Sequence, residues 1–281
     1  MKNYLSLIKF SHTIFAMPFA LIGFFIAIKS YPYEWATIIY IILCMIFARS
    51  SAMAFNRYVD RNTDLKNPRT SNNREIPNGT IKANSALIFT IINCILFIYI
   101  TYLINDICFK LSPIALIIIM GYSYTKRFTW LCHLILGLGL SLSPSAAYLA
   151  VTSEFNIIPV MFSICVLFWV SGFDIIYSLQ DIDFDKRNKL YSIPAKIGIK
   201  KGLFICKIFH TISFITLILI GNMFEFQNWY WIGVIIFSML LVYQHTIISS
   251  KNLEKINIAF FTTNGIASLL LGLFVIIDLT I

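Results

Sequence analysis

This chain is poor in charge. Of its 281 residues only 12% are Asp, Glu, Lys or Arg, against roughly 25% in an ordinary soluble domain. Disordered chains are rich in charge and poor in aromatics, so disorder is excluded. The six cysteines (Cys44, Cys94, Cys108, Cys132, Cys165, Cys206) are scattered through apolar stretches and form no CxxC pair. They read as small packing residues, not as a disulfide framework or a metal site. The four histidines (His12, His133, His210, His245) are equally dispersed and lack metal-ligand spacing. What is abundant is apolar surface: 58% hydrophobic and 16% aromatic residues, with a mean hydropathy of +0.79. A soluble globule of this composition would expose large apolar patches, which soluble monomers rarely do. The apolar runs are long and do not alternate, so membrane-spanning helices fit and a barrel does not.

A helix needs about 20 apolar residues to cross the hydrocarbon core. Nine such spans are expected, at residues 11–28, 35–57, 82–104, 108–124, 131–151, 157–179, 203–221, 229–248 and 258–278. The fourth is the weakest, because Ser112 and Pro113 interrupt it. No small-residue cleavage site follows the basic start, so the first stretch reads as a span and not a removed signal. With the N-terminus inside and nine alternating helices, nineteen of the 22 Lys and Arg residues fall on the inner side. Lys29 and Lys110 fall outside, and Arg49 lies within a span. Basic residues gather in cytoplasmic loops, so this split supports the orientation. It also accounts for the net charge of +9 without nucleic acid. The long charged connections, near 58–81 and 180–202, share the inner side, and function is expected there.

Seven of the 13 acidic residues concentrate in or near two inner helix ends: Asp60 and Asp64, then Asp174, Asp181, Asp183 and Asp185, with Glu75 in the loop between. At 100° per residue, Arg49, Asn56, Asp60 and Asp64 share one helical stripe, and Asp174, Tyr177, Asp181 and Asp185 share another. Carboxylates on successive turns, repeated on a second helix, create high negative charge. Oxygen ligands without His or Cys favour Mg²⁺, which keeps phosphate co-ligands. Asp183 and Asp185 alone would also suit ordinary helix ends reaching water. Asp174 has apolar neighbours, and acids inside a membrane are usually functional. Arg69, Arg74, Lys126 and Arg127 lie near enough in sequence to complete a diphosphate pocket. Arg127, Lys186 and Lys189 also read as positive-inside anchors.

The two clusters carry a resemblance. Asn56 to Asp64, NRYVDRNTD, fits the NRxxDxxxD motif of the UbiA superfamily of intramembrane prenyltransferases, and DIIYSLQDIDFD from Asp174 resembles its DxxYxxxDxxxD motif. FSHTIFAMPFALIG, NPRTSNNREIPNGTI, YSYTKR and YSIPAKIG are similar to flanking family segments, so the resemblance touches about the first 200 residues. The chain departs from the common pattern at Ser123, Ser178 and Phe184. The Asn-Arg pair resembles the branch that prenylates 4-hydroxybenzoate.

The resemblance implies an all-α polytopic membrane protein, a single domain over 1–281, with nine helices around a central cavity and its mouth on the cytoplasmic side of a bacterial inner membrane. It implies transfer of a polyprenyl group from a polyprenyl diphosphate to an aromatic carboxylic acid in quinone biosynthesis, with a naphthoate as the alternative acceptor. Asp60, Asp64, Asp181 and Asp185 would hold Mg²⁺, with Asn56 as a further ligand or orienting group. Lys126, Arg69 and Arg74 would meet the diphosphate, and Asp174 and Tyr177 would lie at the same mouth. Arg49, two turns deeper than Asn56, would pair with the acceptor carboxylate; an ion pair with Asp174 is the other account of it. The lipid bilayer would take the prenyl tail. A cation-coupled transporter is the rival class, since the acidic motifs, 121 residues apart, resemble a repeat. A structural scaffold gives no reason for the acidic clusters.

Overall fold

The computed structural model describes residues 2–8, 13, 15–250 and 252–281, with only the backbone at Lys2. The start of the expected first span, Lys9, His12 and Lys251 lie outside the described residues.

The chain is an all-helical membrane protein. Among the described residues, eight helices are long and apolar enough to cross a membrane. They are α3 (Trp35–Val59), α5 (Ala83–Ile104), α6 (Asp106–Thr125), α7 (Cys132–Thr152), α8 (Ile157–Ser178), α11 (Ile199–Met223), α12 (Asn228–Ile247) and α13 (Asn264–Thr280), the last opened by a π-helical turn, Ile258–Thr263. A ninth apolar helix, α2 (Met17–Ile28), is shorter and carries Pro18 in its first turn. There the missing N–H costs no helical hydrogen bond. Five short helices complete the order: α1 (Lys2–Leu7), α4 (Arg61–Lys66), α9 (Ile182–Arg187), α10 (Ile193–Ile197) and a 3₁₀ turn at Leu179–Asp181. All but α1 lie in the two charged connections.

The Ser-Pro pairs explain why two helices continue through proline. Pro113 leaves the carbonyl of Phe109 without its usual N–H partner, and Ser112 Oγ donates to that oxygen at 2.8 Å. Pro144 does the same to Leu140, and Ser143 Oγ supplies the bond at 2.9 Å. Serine hydroxyls thus satisfy backbone groups that lipid cannot. The fourth span, expected to be weak at these residues, runs unbroken through them.

Small residues set helix approach, as is usual in membranes. Gly137 of α7 lies against the Leu167 carbonyl and Ser171 hydroxyl of α8, and Gly172 lies against the ring of His210 on α11. The largest buried cluster joins α2, α8, α12 and α13 through Phe19, Trp169, Phe173, Phe237 and Leu271. Inside it, Asn264 Oδ1 accepts from Trp169 Nε1 at 2.9 Å and Gln244 Nε2 at 2.6 Å. Its Nδ2 donates to the Ala259 and Phe260 carbonyls of the π turn. Apolar and aromatic side chains stay exposed along the outer faces, as at Ile91, Ile95, Tyr102, Ile117 and Met239. In water that would be a liability; facing lipid it is the expected surface.

Candidate active site

The first acidic motif forms where α3 ends. Asp60 leaves helical geometry (φ −87°, ψ 3°) and α4 restarts at Arg61. The turn is nonetheless kept, because Asp64 N–H donates to the Asp60 carbonyl at 2.7 Å. Asn56 Nδ2 donates to Asp60 Oδ2 at 2.9 Å. The second motif likewise crosses a break: α8 ends at Ser178, the 3₁₀ turn carries Asp181, and α9 carries Asp185. Neither stripe therefore belongs to one continuous helix.

The two motifs are stitched together. Asn67, just past the first, donates to Asp181 Oδ1 at 2.9 Å. Arg69 forks onto both oxygens of Asp181 and donates to the Tyr177 hydroxyl at 3.1 Å. Arg74 pairs with Asp64, Arg127 with Asp60 at 3.1 Å and Lys126 with Asp185 at 3.3 Å. Each of the four candidate carboxylates thus carries its own cation. That pairing offsets the cost of burying charge, which is acute for Asp185 at 1% exposure. Burial, then the carboxylate of Asp64, pushes the Asp60 carboxyl up, while Arg74, Arg127 and Lys126 hold it back. Burial works against the charge of Lys126, but Asp185 and its acidic neighbours outweigh it and hold the ammonium above its ordinary range. Burial likewise opposes Arg69, and Asp181 overcomes it.

Behind the mouth lies an apolar cavity of about 220 Å³ between α2, α3, α5, α6 and α7. Along α6 its lining runs from Tyr122 to Cys108, about 21 Å at 1.5 Å per residue. Among the described lining residues Arg49 is the one charged group. Tyr122 lies beside it, within electrostatic reach of Arg49, Arg57, Asp60 and Asp174. Tyr177 packs against Phe260, ring centroids 4.3 Å apart and planes tilted by 33°, under the Arg69 guanidinium. The π turn thereby reaches the mouth.

The sequence profile of the UbiA prenyltransferase family matches residues 16–266. The chain belongs to this family. Its similar relatives include a 4-hydroxybenzoate octaprenyltransferase of Photobacterium profundum, 26% identical over 247 residues, covering 88% of this chain and 85% of the relative. Another, from Aliivibrio salmonicida, is 29% identical over 246 residues, covering 85% and 83%. Among solved structures, an apo UbiA homologue from Aeropyrum pernix K1 superposes with a TM-score of 0.86 at 26% identity, covering 95% of this chain and 98% of that one. A UbiA homologue from Archaeoglobus fulgidus bound to GPP and Mg²⁺ shares the fold, with a TM-score of 0.77 at 18% identity and coverage of 99% and 100%.

Within this UbiA-family protein, Asn56, Asp60, Asp64, Arg69, Arg74, Lys126, Tyr177, Asp181 and Asp185 all meet at the mouth, and Arg49 lines the cavity beyond it. Asp174 bonds not to Arg49 but to His133: Oδ2 lies 2.7 Å from Nδ1. Arg127, readable as a mere anchor, is a mouth residue. Asn67, Tyr122 and His133 were not signalled by the motif positions. Asp183 is exposed, as a helix-end residue would be. Glu75 is buried and accepts a hydrogen bond from Ser6 of α1.

Sequence spacing also missed a cluster away from the mouth. Cys206, His210 and His245 place their ligand atoms within 4.8 Å of one another. His210 Nδ1 and His245 Nε2 are 3.0 Å apart and Cys206 Sγ donates to the Gly172 carbonyl at 3.1 Å. Two imidazoles on one tetrahedral zinc at ~2.0–2.1 Å stand farther apart than that. The geometry is that of a hydrogen-bonded seam joining α8, α11 and α12.

Proposed function

We propose that this chain transfers a polyprenyl group from a polyprenyl diphosphate to the ring of an aromatic carboxylic acid, 4-hydroxybenzoate first, and releases diphosphate. The observation that carries the reading is the pairing of two unlike regions: a mouth of four cation-held carboxylates and, behind it, an apolar cavity with one charged lining residue, Arg49. The mouth suits a diphosphate with its metal. The cavity suits an isoprenoid chain beside an aromatic acid.

The donor set fits Mg²⁺. Asp60, Asp64, Asp181 and Asp185, with Asn56 beside Asp60, offer oxygen alone, and Mg²⁺ combines a few carboxylates with substrate phosphate. Bound there, Mg²⁺ would supply Lewis-acid neutralisation of the leaving diphosphate. Arg69, Arg74, Lys126 and Arg127 each exchange a carboxylate partner for a phosphate oxygen when substrate arrives, so their positive charge needs no new burial. The prenyl C1–O bond breaks with its electron pair leaving on diphosphate. Charge developing at C1 faces the rings of Tyr177 and Tyr122, whose quadrupoles attract a cation. The ring carbon ortho to the phenol supplies the pair for the new C–C bond.

Arg49 pairs with the acceptor carboxylate. A guanidinium fork matches a carboxylate in bidentate fashion, and Arg49 is the one charged residue among the described lining of the cavity. Tail and product leave into the bilayer. The basic bias of the inner loops supports a bacterial inner membrane setting with the N-terminus and mouth cytoplasmic, and residues 1–281 act as one domain. The test is purified protein in lipid nanodiscs with labelled long-chain prenyl diphosphate, Mg²⁺ and a panel of 4-hydroxybenzoate and a dihydroxynaphthoate. Prenylated 4-hydroxybenzoate is expected. Product with the naphthoate alone would reassign the acceptor, and no product with either would end the reading.

A further inference from the structure

One carboxylate at the mouth differs from the other four. Asp174 has no Lys or Arg at ion-pair distance among the described residues. Its bond is to His133, which is 0% exposed. The ring is fixed on both edges. His133 Nε2 accepts from the backbone N–H of Ile193 at 3.3 Å, and a backbone N–H can only donate. The ring proton therefore sits on Nδ1 and is donated to Asp174 Oδ2 at 2.7 Å. A histidine on α7 thus ties the carboxylate of α8 to the start of α10. Oδ2 is committed, while the side chain keeps 19% exposure. Asp174 shares a face of α8 with Tyr177, three residues on, whose hydroxyl accepts from Arg69 at the mouth at 3.1 Å.

Resting on the proposed prenyl transfer, we propose that His133 is a positioning residue that aims the remaining oxygen of Asp174 at the proton the acceptor ring must lose. Once the ring carbon has bonded to the prenyl C1, its proton passes to Asp174 Oδ1. The C–H electron pair restores aromaticity, and Asp174 later returns the proton to water. The diphosphate-facing carboxylates would be committed to Mg²⁺ in the loaded site and do not take this part. His133 touches no substrate; it acts through Asp174, by supplying one donor and fixing one rotamer.

The test compares the parent with H133L, H133N and H133Q in nanodiscs, using 4-hydroxybenzoate carrying hydrogen or deuterium ortho to the hydroxyl. Asn places its amide nitrogen where Nδ1 stands and keeps the donor to Asp174. Gln reaches the Nε2 position instead and loses it. H133L and H133Q are expected to lower kcat about 100-fold, the lower range for a positioned proton acceptor, with the KM for prenyl diphosphate unchanged. In both, a primary deuterium isotope effect absent from the parent is expected, because proton loss has become slow. H133N is expected to recover most of kcat and to lose the isotope effect. H133Q keeps a polar side chain in the same space and so preserves the test where H133L fails to fold. Parent-like turnover in H133Q, or a rate loss in all three variants without an isotope effect, would overturn the inference and leave prenyl transfer standing. A parent that does not prenylate 4-hydroxybenzoate would overturn the functional reading, and the inference with it.

Discussion

Replacing Arg49 by alanine separates the acceptor's site from the diphosphate's. Arg49 is the one charged residue among the described lining of the cavity, and it is half-buried. Removing one partner of a buried ion pair costs about 3–5 kcal/mol, since the other charge is left without compensation. Taking the low end for a half-buried group, about 3 kcal/mol corresponds to roughly 150-fold in kcat/KM for the acceptor. Steady-state kinetics in nanodiscs, varying each substrate in turn, should find that loss for 4-hydroxybenzoate, with the KM for prenyl diphosphate nearly unchanged. A double-mutant cycle sharpens the result. The parent should discriminate against the methyl ester of the acceptor by a similar factor, and R49A should hardly discriminate at all. R49K, which keeps charge but loses the planar fork, should fall between. Equal losses for both substrates, or a parent indifferent to the ester, would refute the argument that Arg49 reads the carboxylate.

Other consequences follow from the pairs and the packing. Arg69→Ala leaves Asp181 with Asn67 as its remaining hydrogen-bond donor; it should raise the KM for prenyl diphosphate well before that for the acceptor, by at least the ~1.5–3 kcal/mol of a charged hydrogen bond. Protons compete with metal for a carboxylate, and Asp60 is pushed up by burial and then by Asp64. Mg²⁺ affinity, read by titration, should therefore weaken as pH falls, starting above the ordinary aspartate range. Arg127→Ala removes a charge that favours ionised Asp60, so that weakening should begin at a higher pH still. Gly137→Ala would force a methyl group into the Leu167 carbonyl and Ser171 hydroxyl; overpacking of this kind costs about 1–3 kcal/mol and should lower the thermal midpoint in detergent. Asn264→Leu strands the Trp169 indole N–H and leaves the Gln244 amide with only its bond to the Ala259 carbonyl, for a cost of about 1–3 kcal/mol for the orphaned indole, visible in the same melt.

Much of the fold was legible because a bilayer imposes one solution on apolar runs. The spans fall within a few residues of expectation except at the start of the first. There α2 starts at Met17, where Pro18 suits a first turn, and the last span, close to its expected bounds, opens with a π turn stabilised by Asn264 and Gln244. The acidic stripes pointed to residues that the fold brings to one mouth, although neither stripe lies on one continuous helix. The helices break at Asp60 and after Ser178, yet the Asp64–Asp60 backbone bond preserves one turn's spacing across the first break. The fourth span read as weak because periodicity does not report that Ser112 caps the carbonyl Pro113 exposes. Pairings between helices were beyond reach. His133 and Asp174 stand 41 residues apart on different helices, and His210 and His245 stand 35 apart. Arg127 looked like an anchor because a charge at a helix end is equally explained by water, until the fold brings Asp60 against it.

Prenyl transfer at this mouth requires the two acidic tips to bind a divalent cation together with a prenyl diphosphate. Mn²⁺, an EPR-active substitute for Mg²⁺, tests this on the purified protein with a non-cleavable prenyl thiolodiphosphate. Bound Mn²⁺ should show phosphorus hyperfine coupling, and the signal should vanish in Asp64→Asn and in Asp185→Asn separately, one from each tip. A coupled signal surviving in either variant, or Mn²⁺ bound with no phosphorus nearby, would contradict it.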